Sequence, residues 1–256
     1  MITKKEIKYL SSLKQKKNRL LNNEMLIEGS KLILDALKHK QHIKKIIYSN
    51  KDSNFNEIRT YAKQNNINME LCSKKDSERI SDTKNSQQIF GHINFKLPTK
   101  INENTIINDN IIIIDGVSDP GNMGTILRTC SWFGFYNIIL TNDSVELFNP
   151  KTVRSGMGAH FHLAHTYKDS IDNIIKFLKN YNYEIIVTAL KGKNINKYNT
   201  KNKKWALILG NEAHGASKKS IDSANTIINI GGEKTMESLN VAEAASIIMH
   251  YLYQGK

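Results

Sequence analysis

Residues 111–115 read IIIID, four consecutive isoleucines that stop at a polar turn. A strand of that composition has no polar face, so it must be covered on both sides. Further apolar strands are expected at 137–140, 184–187, 205–209 and 226–230. Helical segments separate them, one directly after the isoleucine run and others at 171–180 and 240–253. Buried strands alternating with helices define an α/β fold with a largely parallel sheet packed on both faces. Such sheets bind their ligands beyond the carboxyl ends of the strands. Chemistry is therefore expected in the loops after residues 115, 209 and 230.

The preceding part alternates differently. Residues 1–20 form a basic helical segment with Ile7, Leu10, Leu13 and Leu20 on its apolar stripe. A strand at 25–28, a helix at 29–40, a strand at 43–48, a helix at 57–65 and a strand at 69–72 follow. This predicts a small α/β domain over 1–95, a polar linker over 96–108 that contains Pro98, and a second domain over 109–256. The chain carries a net charge of +13. Residues 1–95 hold 19 basic and 10 acidic residues, and the remainder holds 18 and 14, so most of the surplus sits in the smaller part. Counterion release on a polyphosphate would explain that imbalance. A solvated surface in a chain biased toward Ile, Asn and Lys would explain it too.

No apolar run approaches the ~20 residues of a membrane span. The opening MITKKEIKYL has no signal-peptide core, which predicts a cytoplasmic protein with no membrane partner. Cys72 and Cys130 are too few for a disulfide framework or a four-sulfur zinc site. His160, His162 and His165 lie close in sequence without accompanying ligands, so no metal is expected.

The first loop and its helix read DGVSDPGNMGTILRTCSWFGF over 115–135. Gly116, Gly121 and Gly124 allow tight turns, and Asn122 is placed to cap the helix. Ile126, Cys130 and Phe133 share one face of that helix, whereas Arg128 lies on another. Near a helix start the dipole favours anions, so Arg128 needs either an anionic ligand or a carboxylate such as Asp119. The second loop, GNEAHG over 210–215, has Gly210 where a ligand could approach closely and Asn211 and Glu212 at a strand end. An ordinary Gly-Asn turn fits it equally. The third, INIGGEKTMESLNVAEAASIIMHYL over 228–252, runs from a strand through glycines into a helix capped by Ser238 or Asn240. A well-capped core helix with Val241, Ala245, Ile248 and Leu252 as its stripe fits this one equally.

Taken together, DPGNMGTILRTCSWFG, GNEAHG and ESLNVAEAA resemble, in order, the three motifs of the SpoU/TrmH family of SPOUT-class RNA 2′-O-methyltransferases. NPKTVRSGMGAHF over 149–161 is similar to a further family segment. The resemblance spans about 105–256. LIEGSKLILDAL and SDTKNSQQIFG resemble the family's accessory RNA-binding domain. The resemblance implies a C-terminal trefoil knot, a homodimer and S-adenosyl-L-methionine as cofactor. It places the cofactor on Gly210, Ile230 and Leu239, and the functional polar residues on Asn122, Arg128, Glu212, Ser238 and Asn240. Gly231 stands where the family usually has Pro, Lys234 where Gly is common, and Ser155 where a small residue such as Ala is frequent.

The implied reaction is methylation of a ribose 2′-hydroxyl in RNA, with ribosomal RNA first and tRNA second as substrate. A non-catalytic RNA- or ribosome-binding protein of the same fold, or a base methyltransferase of the wider knotted class, are the alternatives. The family proposal makes the arginine at position 128 a base. Guanidinium stays protonated in proteins, so binding a phosphate or a developing oxyanion suits Arg128 better.

Overall fold

The computed structural model describes residues 2–102, 104–105, 107, 109–199, 204–233 and 237–254. In chain order the first elements are α1 (Lys4–Ser12), α2 (Lys16–Asn22), β1 (Glu24–Glu28), α3 (Ser30–Lys38), β2 (Ile43–Tyr48), α4 (Phe55–Gln64), β3 (Asn68–Leu71), α5 (Lys74–Ile80) and β4 (Ile89–Asn94). Then come β5 (Ile111–Ile114), α6 (Pro120–Phe133), β6 (Asn137–Thr141), α7 (Pro150–Gly156), β7 (His165–Asp169), α8 (Ile171–Asn180), β8 (Glu184–Asn194), β9 (Trp205–Leu209), α9 (Lys218–Asp222), β10 (Thr226–Asn229) and α10 (Val241–Gln254). They pack as two units, one running to Leu97 and including Phe148–Phe161, the other holding Pro98–Leu147 and the chain from His162 onward.

In the first unit a sheet of order β1-β4-β2-β3 has β4 antiparallel to both neighbours and β2 parallel to β3. α3 and α4 bury Ile33, Leu37, Phe55 and Ile58 on one side. α1 and α5 bury Ile7, Leu10 and Ile80 on the other. The expected helix over 1–20 is broken at residues 13–15, where the buried Arg19 guanidinium donates to the carbonyls of Leu13 (3.1 Å) and Lys14 (2.6 Å). Strand β4 was not anticipated. Gly91 within it breaks the β pattern because a Cβ there would stand 3.0 Å from Ile27 Cγ1.

The segment 148–161 departs from the domain division expected from the sequence. Its helix α7 begins at Asn149, whose side chain accepts from Lys151 N. It places Val153 in the core with Met25 and Ile27, and Phe148 stacks on Phe95 at 4.2 Å. The presumed linker is also not free. Thr99 bridges to Tyr167, and Ile107 is buried in the core of the second unit.

The second unit contains a six-stranded sheet of order β10-β8-β9-β5-β6-β7, with every pairing parallel. The four isoleucines of β5 are fully buried between β6 and β9. Each such side chain contributes about 1.5–3 kcal/mol by leaving water. β7 escaped the sequence pattern because HTYKD is a half-exposed edge. α6 and α10 lie against each other, with Thr129 Oγ1 2.9 Å from Ser246 Oγ and Cys130 Sγ 3.7 Å from Met249 Sδ. Among the described residues no helix is long and apolar enough to cross a membrane.

Candidate active site

β5 and β9 are neighbours, so their carboxyl-end loops leave the sheet side by side, joined by Asp115 N donating to Leu209 O at 2.8 Å. The buried Asp115 carboxylate accepts from Ser217 N (2.9 Å) and Ser220 Oγ (2.7 Å). Gly116 turns the chain with φ +77°, a conformation that favours glycine. Its N–H is shared by Thr141 Oγ1 and Ser144 Oγ, and its carbonyl accepts from Asn211 Nδ2 at 2.6 Å.

Helix α6 starts at Asp119, whose carboxylate accepts from Asn122 N at 2.8 Å, with Pro120 in the first turn. The cap expected at Asn122 is thus Asp119, three residues earlier. This leaves the Asn122 side chain available. Its Nδ2 donates to Glu212 Oε1 at 3.0 Å, and its Oδ1 accepts from Asn240 Nδ2 at 3.0 Å. Glu212 also accepts from Ser118 N, Ser118 Oγ and Asp119 N, each at 3.2 Å. Burial alone would raise the Glu212 pKa, but the donors from Asn122 and the backbone outweigh it and hold the carboxyl below its ordinary value. It is an ionised clamp between the first two loops. Asn240 extends the clamp to the third, and its Oδ1 accepts from Ala242 N at 2.8 Å at the start of α10.

Three of the five expected polar residues, Asn122, Glu212 and Asn240, therefore form one hydrogen-bonded chain. Arg128 and Ser238 do not join it. Arg128 is exposed and has no ion pair or hydrogen bond among the described residues. Asp119 is nine positions away, about half a turn around the helix axis, and no ion pair joins the two. Ser238 is exposed, makes no hydrogen bond among the described residues, and leaves the capping of α10 to Asn240.

Of the expected cofactor residues, Gly210 directly follows β9 and Ile230 directly follows β10. Only β8 separates those strands, so their ends stand about 10 Å apart. Leu239 is 49% exposed. The reason for glycine at 210 differs from the expected one. A Cβ there would lie 2.1 Å from Ala216 N, because the GNEAHG loop closes on itself through paired Asn211 and Gly215 backbone bonds. Of the three departures from the family pattern, Gly231 is exposed beside Asn194, and Ser155 bonds the Lys151 carbonyl within α7. Lys234 lies outside the described residues. That Asp115 holds Ser217 and Ser220 could not be read from local pattern, since about a hundred residues separate them.

The family model described as SpoU rRNA Methylase family matches residues 109–250, and one described as MRM3-like substrate binding domain matches residues 4–91. The 23S rRNA (guanosine(2553)-2′-O)-methyltransferase RlmP of Bacillus subtilis is 28% identical over 96% of this chain and 95% of its own length. An uncharacterized tRNA/rRNA methyltransferase of Borreliella burgdorferi is 31% identical over 79% of this chain and 94% of its own length. The AdoMet-bound rRNA methyltransferase of Sinorhizobium meliloti superposes with a TM-score of 0.85 at 25% identity, covering 99% of this chain and 96% of that one. A first family model that takes in more than half of the chain, with all three strand-end loops inside it, settles the affiliation: the chain belongs to the SpoU rRNA methylase family.

Proposed function

We propose that the chain methylates a ribose 2′-hydroxyl of ribosomal RNA with S-adenosylmethionine, as a homodimer in the cytoplasm. The observation that carries this reading is the Glu212–Asn122–Asn240 chain, which ties three strand-end loops together, with Arg128 of the same helix exposed and without a partner among the described residues. The relative named as a 23S rRNA 2′-O-methyltransferase favours the same reaction, and it and the relatives named as rRNA methyltransferases favour the same substrate.

The residues fit an adenosyl cofactor. Gly232 has open space where a Cβ would be, and only β8 lies between β9 and β10 in the sheet. Gly210, Ile230 and Leu239 would hold the cofactor mainly through backbone groups. When bound, it supplies an electrophilic methyl group for in-line displacement. Glu212 has its oxygens occupied by donors and serves as the clamp. Asn122 and Asn240 fix the loops around the acceptor ribose. Arg128 grips RNA phosphate or stabilises the 2′-oxygen as its charge develops. The 2′-hydroxyl proton leaves to water.

The first unit would grip the RNA. Many of its carboxylates are already engaged, Glu6 and Glu70 by Lys45, Glu24 by Lys44 and His92, Glu57 by Lys38 and Asp82 by Arg154. The surplus of lysines is thus left for phosphate. Exposed apolar side chains on the packed pair α6 and α10, Trp132 at 83%, Ile247 at 45% and Tyr253 at 49%, support the homodimer. The register break between β10 and β8 is compatible with a knotted C-terminal end. Mapping ribose methylation in ribosomal RNA with and without the gene tests the function. An unchanged methylation map refutes it.

A further inference from the structure

β10 and β8 do not pair in a simple register. Thr226 and Ile227 stand opposite Ile186 and Val187, but Ile228 and Asn229 stand opposite Lys193 and Asn194. Residues 188–192 of β8 therefore leave the ladder and return to it at the carboxyl end of the sheet. The return is tight, since a Cβ on Gly192 would lie 2.9 Å from Ile227 O. The tip of the excursion is held by Asn229, whose Nδ2 donates to Leu190 O at 3.2 Å.

Asn194 sits at the foot of this excursion. Its Oδ1 accepts from Asn196 N at 2.9 Å and so caps the short turn Ile195–Lys197. Its Nδ2 has no acceptor among the described residues, and it lies 2.5 Å from where a Cβ on Gly231 would be. The amide thus occupies the space that a side chain at 231 would fill, next to Ile230. This gives Gly231, a departure from the usual family residue, a physical reason: proline or any other side chain there would displace Asn194.

We infer that Asn194 Nδ2 is a cofactor-binding donor, aimed at a ring nitrogen or ribose oxygen of the adenosyl group, and that Gly231 is the residue that makes room for it. The inference rests on the cofactor placement above. An adenosyl group presents several acceptors, and an unpaired amide donor at the ligand end of a parallel sheet matches them. Asn194 and Gly231 together would replace a side chain with a hydrogen bond in this chain's pocket.

Calorimetric titration with S-adenosylhomocysteine, without RNA, tests this. Asn194→Asp keeps the acceptor for Asn196 N but removes the donor. It should weaken binding about three- to tenfold, the scale of one lost hydrogen bond, and Asn194→Ala should do the same. Gly231→Ala pushes the amide away and should weaken binding at least as much. Asn194→Ala/Gly231→Ala, freed of the clash, should bind like Asn194→Ala alone. Melting curves confirm that each variant is folded. Wild-type affinity in folded Asn194→Asp overturns the donor while leaving the cofactor reading intact. No binding to the folded wild-type protein overturns both.

Discussion

Glu212→Gln is the sharpest perturbation of the clamp. The substitution keeps shape and volume but turns one acceptor oxygen into an NH2 group. Facing Asp119 N and Asn122 Nδ2, that group meets two donors; facing Ser118 it meets the backbone N–H, while the hydroxyl can turn to accept from it. One or two hydrogen bonds to a charged acceptor are lost and the others lose their charge assistance, each lost bond worth about 1.5–3 kcal/mol when sheltered. Glu212 is only partly buried, so solvent screening reduces the total to about 2–3 kcal/mol. That corresponds to a fall in melting temperature of about 5–10 °C. The pH dependence adds a second test. The folded-state pKa of Glu212 is depressed, so its contribution is fully present above the unfolded value near 4.5 and is lost as pH falls through the folded value. The stability gap between wild type and Glu212→Gln should therefore be widest near neutrality and shrink as pH falls below 4.5 and through the depressed folded-state value. Denaturant melts from pH 7 to pH 3 measure it. A variant as stable as wild type at pH 7, or a gap that stays constant on acidification, would refute the clamp.

Four further outcomes follow from the same geometry. Arg128→Ala should leave the melting temperature unchanged, because no partner among the described residues is lost, and should cut single-turnover methylation about a hundredfold; Arg128→Lys should recover part of it, and a destabilised variant with wild-type rate would make Arg128 scaffolding. Gly210→Val should lower stability measurably rather than only block the cofactor, since the new side chain meets the Ala216 backbone; a melting curve identical to wild type would contradict that clash. A fragment of residues 105–256 should aggregate or bind hydrophobic dye, because it strips Val153 and Phe148 of their packing partners; a monodisperse, dye-negative fragment would show that α7 folds without the first unit. Trp132→Lys should shift the protein toward monomer in sedimentation, and an unchanged oligomer would place the subunit contact elsewhere.

The parts of the fold that were legible share one property: their signal is local. Four isoleucines in a row admit few environments, and β5 sits at the centre of the sheet for that reason. Burial periodicity likewise located β8 to β10 and α10. β7 was illegible because an edge strand needs no apolar face, and HTYKD has none. α7 illustrates a different failure. Its sequence is an ordinary short helix, and nothing in it says that Val153 belongs to the core of the first unit, because that is decided by partners more than a hundred residues away. The site divides along the same line. The polar identities in the three loops pointed to Asn122, Glu212 and Asn240, but only folding shows that the first two, ninety residues apart, share a hydrogen bond and that Arg128 is left out of it. Glycines carried the least transferable meaning. Gly116 is explained by its own positive φ, whereas Gly210 answers to Ala216 and Gly231 to Asn194, contacts that exist only once the loops have closed. A glycine at a strand end therefore says that something comes close. Whether that neighbour is a ligand or the chain itself is a question of tertiary structure, and here two of the three strand-end glycines answer to the chain.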